Sequence, residues 1–174
     1  MIYPRILKTI LLFTIGYTAV AQKQCNYTID TSRVLLNQDL DEFLVKLKND
    51  RFVIYNRKEN IPEFIRYQLD CLTGDFSIAN PGLDYRCCCT SSSKLPARQL
   101  LYLAQSKDVL IMTYLTGGIA VSTHLLFIKV SDNKILNLWT GVSFPALKSK
   151  KDIIDYIKKH RYDKWGLNTN IIYL

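Results

Sequence analysis

The chain has 174 residues, of which 48% are hydrophobic and 22% charged, and its formal charge is +8. This balance excludes an intrinsically disordered protein, and the length favours a single domain. The basic charge permits acidic partners such as anionic lipid, a phosphate-rich polymer or an acidic protein, and it requires none of them.

The first 21 residues have the organisation of a secretory signal peptide. Arg5 and Lys8 form a positive region, an uncharged apolar stretch follows over 9–17, and the A-V-A run at 19–21 provides a cleavage site. Loss of Arg5 and Lys8 lowers the charge from +8 to +6 for a mature domain over 22–174. The apolar stretch is short for a membrane span, so an uncleaved anchor is the less favoured alternative. We therefore predict a secreted or periplasmic protein, which is not an integral membrane protein after cleavage, and the composition favours a bacterial source.

Three amphipathic helices are predicted in the mature domain. Asp39 is placed to cap the first, and the second runs from Asn60 to Gly74, with Pro62 in its first turn. The third covers 149–160 and is capped by Ser149. The first helix has apolar residues at the spacing of one buried face: Leu40, Phe43, Leu44 and Leu47.

Short strands are predicted at 52–56 and 76–79, and four longer strands follow at 98–105, 109–115, 119–130 and 134–141. Turn-forming clusters separate the four longer strands, which predicts an antiparallel meander. Their apolar residues do not alternate, so both faces of the sheet are expected to be covered. The first two helices are candidates for one face, and the third is a candidate for the other face or for an extension of the same layer. A last strand is predicted at 171–174.

These elements together predict an α+β fold, in which an antiparallel β-meander of about five to six strands carries three helices.

Five cysteines follow the predicted cleavage site, and an oxidising compartment makes disulfides the first expectation. They are Cys25, Cys71, Cys87, Cys88 and Cys89. Bonds between adjacent cysteines are strained, so two members of the triplet are expected to bond to Cys25 and Cys71. Because five is odd, one thiol is left over for burial or for a partner chain.

A catalytic role for the triplet is the alternative. A thiol such as that of Cys88 would need His124 or His160 within hydrogen-bond reach and a group that orients the imidazole. No local motif links them, so His124 is expected to be a structural histidine of the sheet. No metal site is expected, because three consecutive cysteines do not close a tetrahedron, and no cofactor motif is present.

Basic and aromatic residues are concentrated near the C-terminus. The candidates for a binding patch are Lys150, Lys151, Lys158, Lys159, Arg161 and Trp165. This mixture is compatible with an anionic envelope surface, whereas a solvated helix face is the alternative. The export signal argues against nucleic acid as the partner.

The sequence therefore predicts a non-enzymatic exported binding protein, such as an inhibitor or immunity-like module with an unknown protein partner. The alternative is a secreted thiol-dependent hydrolase that uses Cys88 and His124.

Overall fold

The structure is a computed structural model, and it describes residues 25–87, 94–117 and 120–163. The helices are α1 (Thr31–Leu35), α2 (Leu40–Asn49), α3 (Glu63–Thr73) and α4 (Lys150–His160), with a 3₁₀ turn at Lys58–Asn60. The strands are β1 (Val53–Ile54), β2 (Ile78–Ala79), β3 (Arg98–Gln105), β4 (Val109–Thr116), β5 (Ser122–Ser131) and β6 (Lys134–Ser143). The predicted α+β fold and the meander β3-β4-β5-β6 are confirmed.

The sheet has the strand order β1-β3-β4-β5-β6, and β2 also pairs with β3. All pairs are antiparallel except β2 with β3, which is parallel. Strands β1 and β2 occupy successive parts of the same edge of β3, because β1 pairs near its end and β2 near its start. Among the described residues, β1 and β6 therefore form two opposite edges of the sheet.

Both faces of the sheet are covered, as the lack of alternation predicts. Helices α2 and α4 pack on one face, and α3 packs on the other. The first face buries, among others, Phe43, Leu47, Phe127, Trp139, Ile153 and Ile157. The second buries, among others, Ile61, Ile65, Leu69, Met112, Tyr114 and Leu126. The expected pairing of the first two helices on one face is wrong, because α2 and α3 lie on opposite sides.

Helix ends and turns follow the local sequence closely. Gly74 ends α3 with a left-handed φ of 77°, and Ser149 caps α4 by accepting a hydrogen bond from Asp152 N. The β5–β6 turn places Asp132 and Asn133 at φ of 50° and 57°, a conformation that these residue types tolerate. Asp39 precedes α2 as predicted, but its carboxylate accepts the Nε–H of Arg33 at 3.0 Å. The α1 helix was not predicted.

Two predicted segments lie outside the described residues: the signal peptide over 1–21 and the last strand at 171–174. Within the described parts of the chain, no helix is long and apolar enough to cross a membrane.

Candidate functional site

A disulfide joins Cys25 to Cys71 in α3, with their Cα atoms 5.6 Å apart. The expected bonds from the triplet to these two cysteines are therefore wrong. The bond fastens the start of the described chain to the helix instead of fastening the triplet to the sheet. Cys87 is exposed, and Cys88 and Cys89 lie outside the described residues.

The segment after Cys25 is held against α3 by a second device, the buried side chain of Gln68. Its Oε1 accepts the Asn26 N–H at 3.0 Å, and its Nε2 donates to the Tyr27 carbonyl at 3.1 Å. The Gln68 amide thus both accepts from and donates to the backbone of this segment, as the peptide groups of a neighbouring strand would. Burial raises the pKa of Tyr27, and the nearby backbone of Leu138 in β6 opposes part of that rise.

An open groove of about 1080 Å³ lies between this segment, α3 and the β5–β6 turn. Its walls are rich in apolar and aromatic side chains, and Glu63 and Lys134 provide one charge of each sign. The lining includes Tyr27, Phe64, Tyr67, Gln68, Ile135 and Leu136. A concave apolar surface with a few polar groups is the usual form of a binding site. The groove could not be predicted from the sequence because its residues come from three distant parts of the chain.

His124 occupies the interior of the second face rather than a cleft. Only 2% of it is exposed, and its ring stacks on Tyr114 with the centroids 5.3 Å apart. Its Nε2 lies 3.3 Å from the Oγ of Ser122. Its Nδ1 is buried and has no hydrogen-bond partner among the described residues.

Buried charge also defines the surroundings of His124. Arg98 lies with its guanidinium carbon 4.7 Å from the Phe76 ring centroid and 5.8 Å from that of Tyr114, and its Nη1 donates to the Asp75 carbonyl at 2.7 Å. Burial and the positive charge of Arg98 lower the pKa of His124 to about 4. From the sequence, Arg98 is predicted only as the first residue of a strand.

This arrangement bears on the catalytic alternative. A general base works best when its pKa lies near the operating pH, and an orienting carboxylate normally accepts the other ring N–H. His124 has a strongly lowered pKa, and no described residue partners its Nδ1. Its hydrogen-bond contact among the described residues is Ser122, and Cys88 and Cys89 lie outside them. Among the described residues, His124 is therefore a buried neutral histidine in contact with a serine, and no carboxylate orients its ring.

Cys87, the first member of the triplet, lies beside Gly117 at the end of β4. A Cβ added to Gly117 would collide with the backbone of Arg86 and Cys87, so glycine allows the two segments to touch. This contact brings Cys87 to the same end of the sheet as Ser122. Gly117, which follows β4 in one of the turn-forming clusters, therefore also has a packing role.

We expect the free energy of unfolding to depend on pH through the protonation of His124. Its folded-state pKa of about 4 lies below the unfolded value of 6.5, so the folded state favours the neutral form. The contribution to stability is therefore complete above about pH 6.5 and is lost as the pH falls towards 4. The free energy of unfolding should fall by about 3 kcal/mol across this window, measured by urea denaturation at each pH.

The His124→Phe variant is the control for this titration, because phenylalanine keeps a planar ring beside Tyr114 and does not titrate. Its free energy of unfolding should change less with pH between 6.5 and 4 than that of the wild type. Identical pH profiles for the two proteins would contradict the assignment.

The predicted basic patch is divided among several contacts. The Lys151 ammonium pairs with Asp155 at 2.6 Å, and Arg161 pairs with Asp41 of α2 at 2.7 Å. The Lys150 ammonium lies 5.6 Å from the Phe52 ring centroid. Lys158 and Lys159 are exposed on α4, and Trp165 lies outside the described residues. Acidic neighbours thus neutralise part of the patch.

Within the described parts of the chain, no group of three or more histidine, cysteine or acidic side chains is placed to hold a metal ion. No family model matches the chain, and comparisons with curated proteins and with solved structures find no match.

Proposed function

We propose that the protein is an exported, non-enzymatic binding module of the bacterial envelope, secreted or periplasmic, of the inhibitor or immunity-like kind. The groove between Tyr27, α3 and the β5–β6 turn is the surface that takes its protein partner. The observation that carries this proposal is the groove itself, a large apolar concavity whose outer wall is held by both the Cys25–Cys71 bond and Gln68.

A preformed wall favours binding because association then orders few additional groups. Gln68 and the disulfide fix the backbone of Asn26 and Tyr27 before any partner arrives. Exposed Tyr67 and Leu136 then provide apolar area on two sides of the groove. Aromatic side chains in such positions commonly supply most of the energy of an interface.

The test is capture of envelope proteins by the mature chain, with the double variant Tyr67→Gln and Leu136→Gln beside the wild type. We expect a stoichiometric partner that the wild type retains and the double variant loses. Val45→Gln is the matched control, because Val45 is an exposed apolar residue of α2 on the opposite face of the sheet. It should retain the partner.

Two results would overturn the proposal: no stoichiometric partner in a competent envelope extract, or a partner that the double variant retains fully. The rival function, a secreted thiol-dependent hydrolase using Cys88 and His124, is tested separately by alkylation and mass mapping of the triplet. A triplet that is wholly bonded removes its nucleophile, whereas an accessible thiol whose alkylation abolishes a hydrolytic activity would favour it.

A further inference from the structure

The sheet edge formed by β1 exposes a run of three apolar residues. Val53, Ile54 and Tyr55 are 51%, 59% and 40% exposed. Proteins usually protect sheet edges with charges, prolines or short irregular strands, because a flat apolar edge is a template for another strand. β1 is short and flanked by arginines, which limits such pairing, but its exposed apolar residues remain a candidate interaction surface. It is separate from the groove, which adjoins β6 at the opposite edge.

The backbone at this edge is oriented for pairing. Tyr55 N donates to the Leu103 carbonyl at 2.9 Å, and Val53 is registered with Gln105. In an antiparallel pair, residues alternate between those that bond to the neighbour and those that face away. The N–H and C=O of Ile54 therefore face away from β3. Among the described residues, no strand pairs with that side of β1.

The flanks of the exposed run are basic. Arg51 and Arg57 are exposed at its two ends, and Lys107 lies in the turn after Gln105, the residue registered with Val53. None of these three cations forms an ion pair with a described residue. Of the acids nearby, Asp108 pairs with Lys46, and Glu59 accepts from Asn80 and also interacts electrostatically with Arg57.

We propose that the β1 edge is a docking site for an extended acidic segment of another protein, in which carboxylates alternate with apolar side chains. The segment adds to the sheet as a further strand and exchanges backbone hydrogen bonds with Ile54. On one face of the sheet its apolar side chains cover Val53 and Tyr55, and on the other face they cover Ile54. Its carboxylates pair with Arg51 and Arg57. This site is independent of the groove and goes beyond the function proposed for it.

Charge also disfavours a second copy of the chain as the occupant. Pairing of two copies through β1 would bring the exposed Arg51 and Arg57 side chains of one copy close to those of the other. Like charges directly opposite one another destabilise a strand pair. An acidic partner removes this repulsion and replaces it with attraction.

The test uses a fluorescent synthetic peptide in which glutamate alternates with valine, titrated with the mature protein. We expect saturable binding that weakens as NaCl is raised from about 0.05 M to about 0.5 M, because screening shortens the reach of the charges. A peptide of the same sequence with N-methylated backbone should bind at least about tenfold more weakly, as should one with lysine in place of glutamate.

Protein variants test the same contacts from the other side. Ile54→Pro removes the outward N–H without removing a bond to β3, a position where an edge strand tolerates proline. It should abolish saturable peptide binding. The double variant Arg51→Glu and Arg57→Glu should weaken binding at least about tenfold. The matched control is Lys158→Glu with Lys159→Glu, which makes the same charge change on exposed α4 residues and should leave the peptide affinity unchanged.

The proposal is overturned if the N-methylated peptide binds as tightly as its parent, or if the α4 control weakens binding as much as the β1 charge reversal. It is also overturned if the protein binds only anionic vesicles or oligonucleotides, if it self-associates through β1, or if the peptide binds only after residues 164–174 are deleted. The groove variant Tyr67→Gln with Leu136→Gln should bind the peptide normally, so failure at the groove and failure at β1 are distinguishable.

Discussion

Removal of the Cys25–Cys71 bond is expected to lower the free energy of unfolding by about 4 kcal/mol. The two cysteines are 46 residues apart in the sequence, and opening a loop of that length restores considerable entropy to the unfolded chain. Cys25→Ser, Cys71→Ser and the double variant should lose the same amount, because each change breaks the same bond. Urea denaturation under non-reducing conditions provides the measurement.

A loss below about 1 kcal/mol in all three variants would contradict a structural role for the bond. The variants should also differ in local protection. With the bond absent, the backbone of Asn26 keeps its hydrogen bond to Gln68 but loses the covalent link next to it, so hydrogen exchange at Asn26 N should become faster. The same variants are expected to bind the groove's partner more weakly, because ordering the wall then costs part of the binding energy.

Truncation of Phe127 to alanine is expected to cost about 3–5 kcal/mol of folding free energy. Phe127 is fully buried under α2, where its ring stacks on Phe43 at 5.3 Å and tilts against Trp139 at 5.6 Å. Its removal leaves a cavity at the point where the helix layer meets the sheet. Thermal and urea denaturation of the variant measure the loss.

Phe144→Ala is the matched control for this truncation. This substitution makes the same chemical change at a position that is 87% exposed. The free energy of unfolding should therefore change by no more than about 0.5 kcal/mol. Similar losses for Phe127→Ala and Phe144→Ala would contradict the assignment of Phe127 to the core.

The two candidate binding surfaces lie at opposite edges of one sheet and differ in what covers each edge. At β6, Tyr27 and α3 cover part of the edge and leave an apolar groove beside it. At β1, the strand is short and nothing in the described residues pairs with its outer side. The meander itself supplies the rigid support for both surfaces, since β3, β4, β5 and β6 are paired along most of their lengths.

Local sequence signals predicted the fold well where the physics is local. Ser149 caps α4 and Gly74 ends α3, because a side-chain oxygen and a glycine satisfy the needs of helix ends wherever the helix packs. The turn at Asp132 and Asn133 likewise depends on the backbone preferences of these residues. The apolar runs in β3, β4 and β5 predicted coverage of both sheet faces, and the two core clusters confirm it.

The candidate sites were harder to predict because they depend on residues that are distant in sequence. Gln68 lay on an apolar helix face, where nothing local reveals that its amide would bind the backbone 41 residues earlier. The pairing of Cys25 with Cys71 depends on the same packing of α3. The sequence predicts that His124 is a structural histidine of the sheet, but its burial against Tyr114 and its proximity to Arg98 depend on cross-strand register.

The sequence by itself determined the α+β class, the meander and its turns, because strand periodicity, capping and turn preferences act over a few residues. Only the tertiary structure decided that α2 and α3 lie on opposite faces, that Cys25 bonds to Cys71, and that β1 is left as an exposed edge. These features depend on which surfaces meet after the chain has folded, and the energy of burying apolar area does not specify a partner in advance. Position in the assembled sheet, rather than residue type, separates the buried His124 from the exposed edge at Ile54.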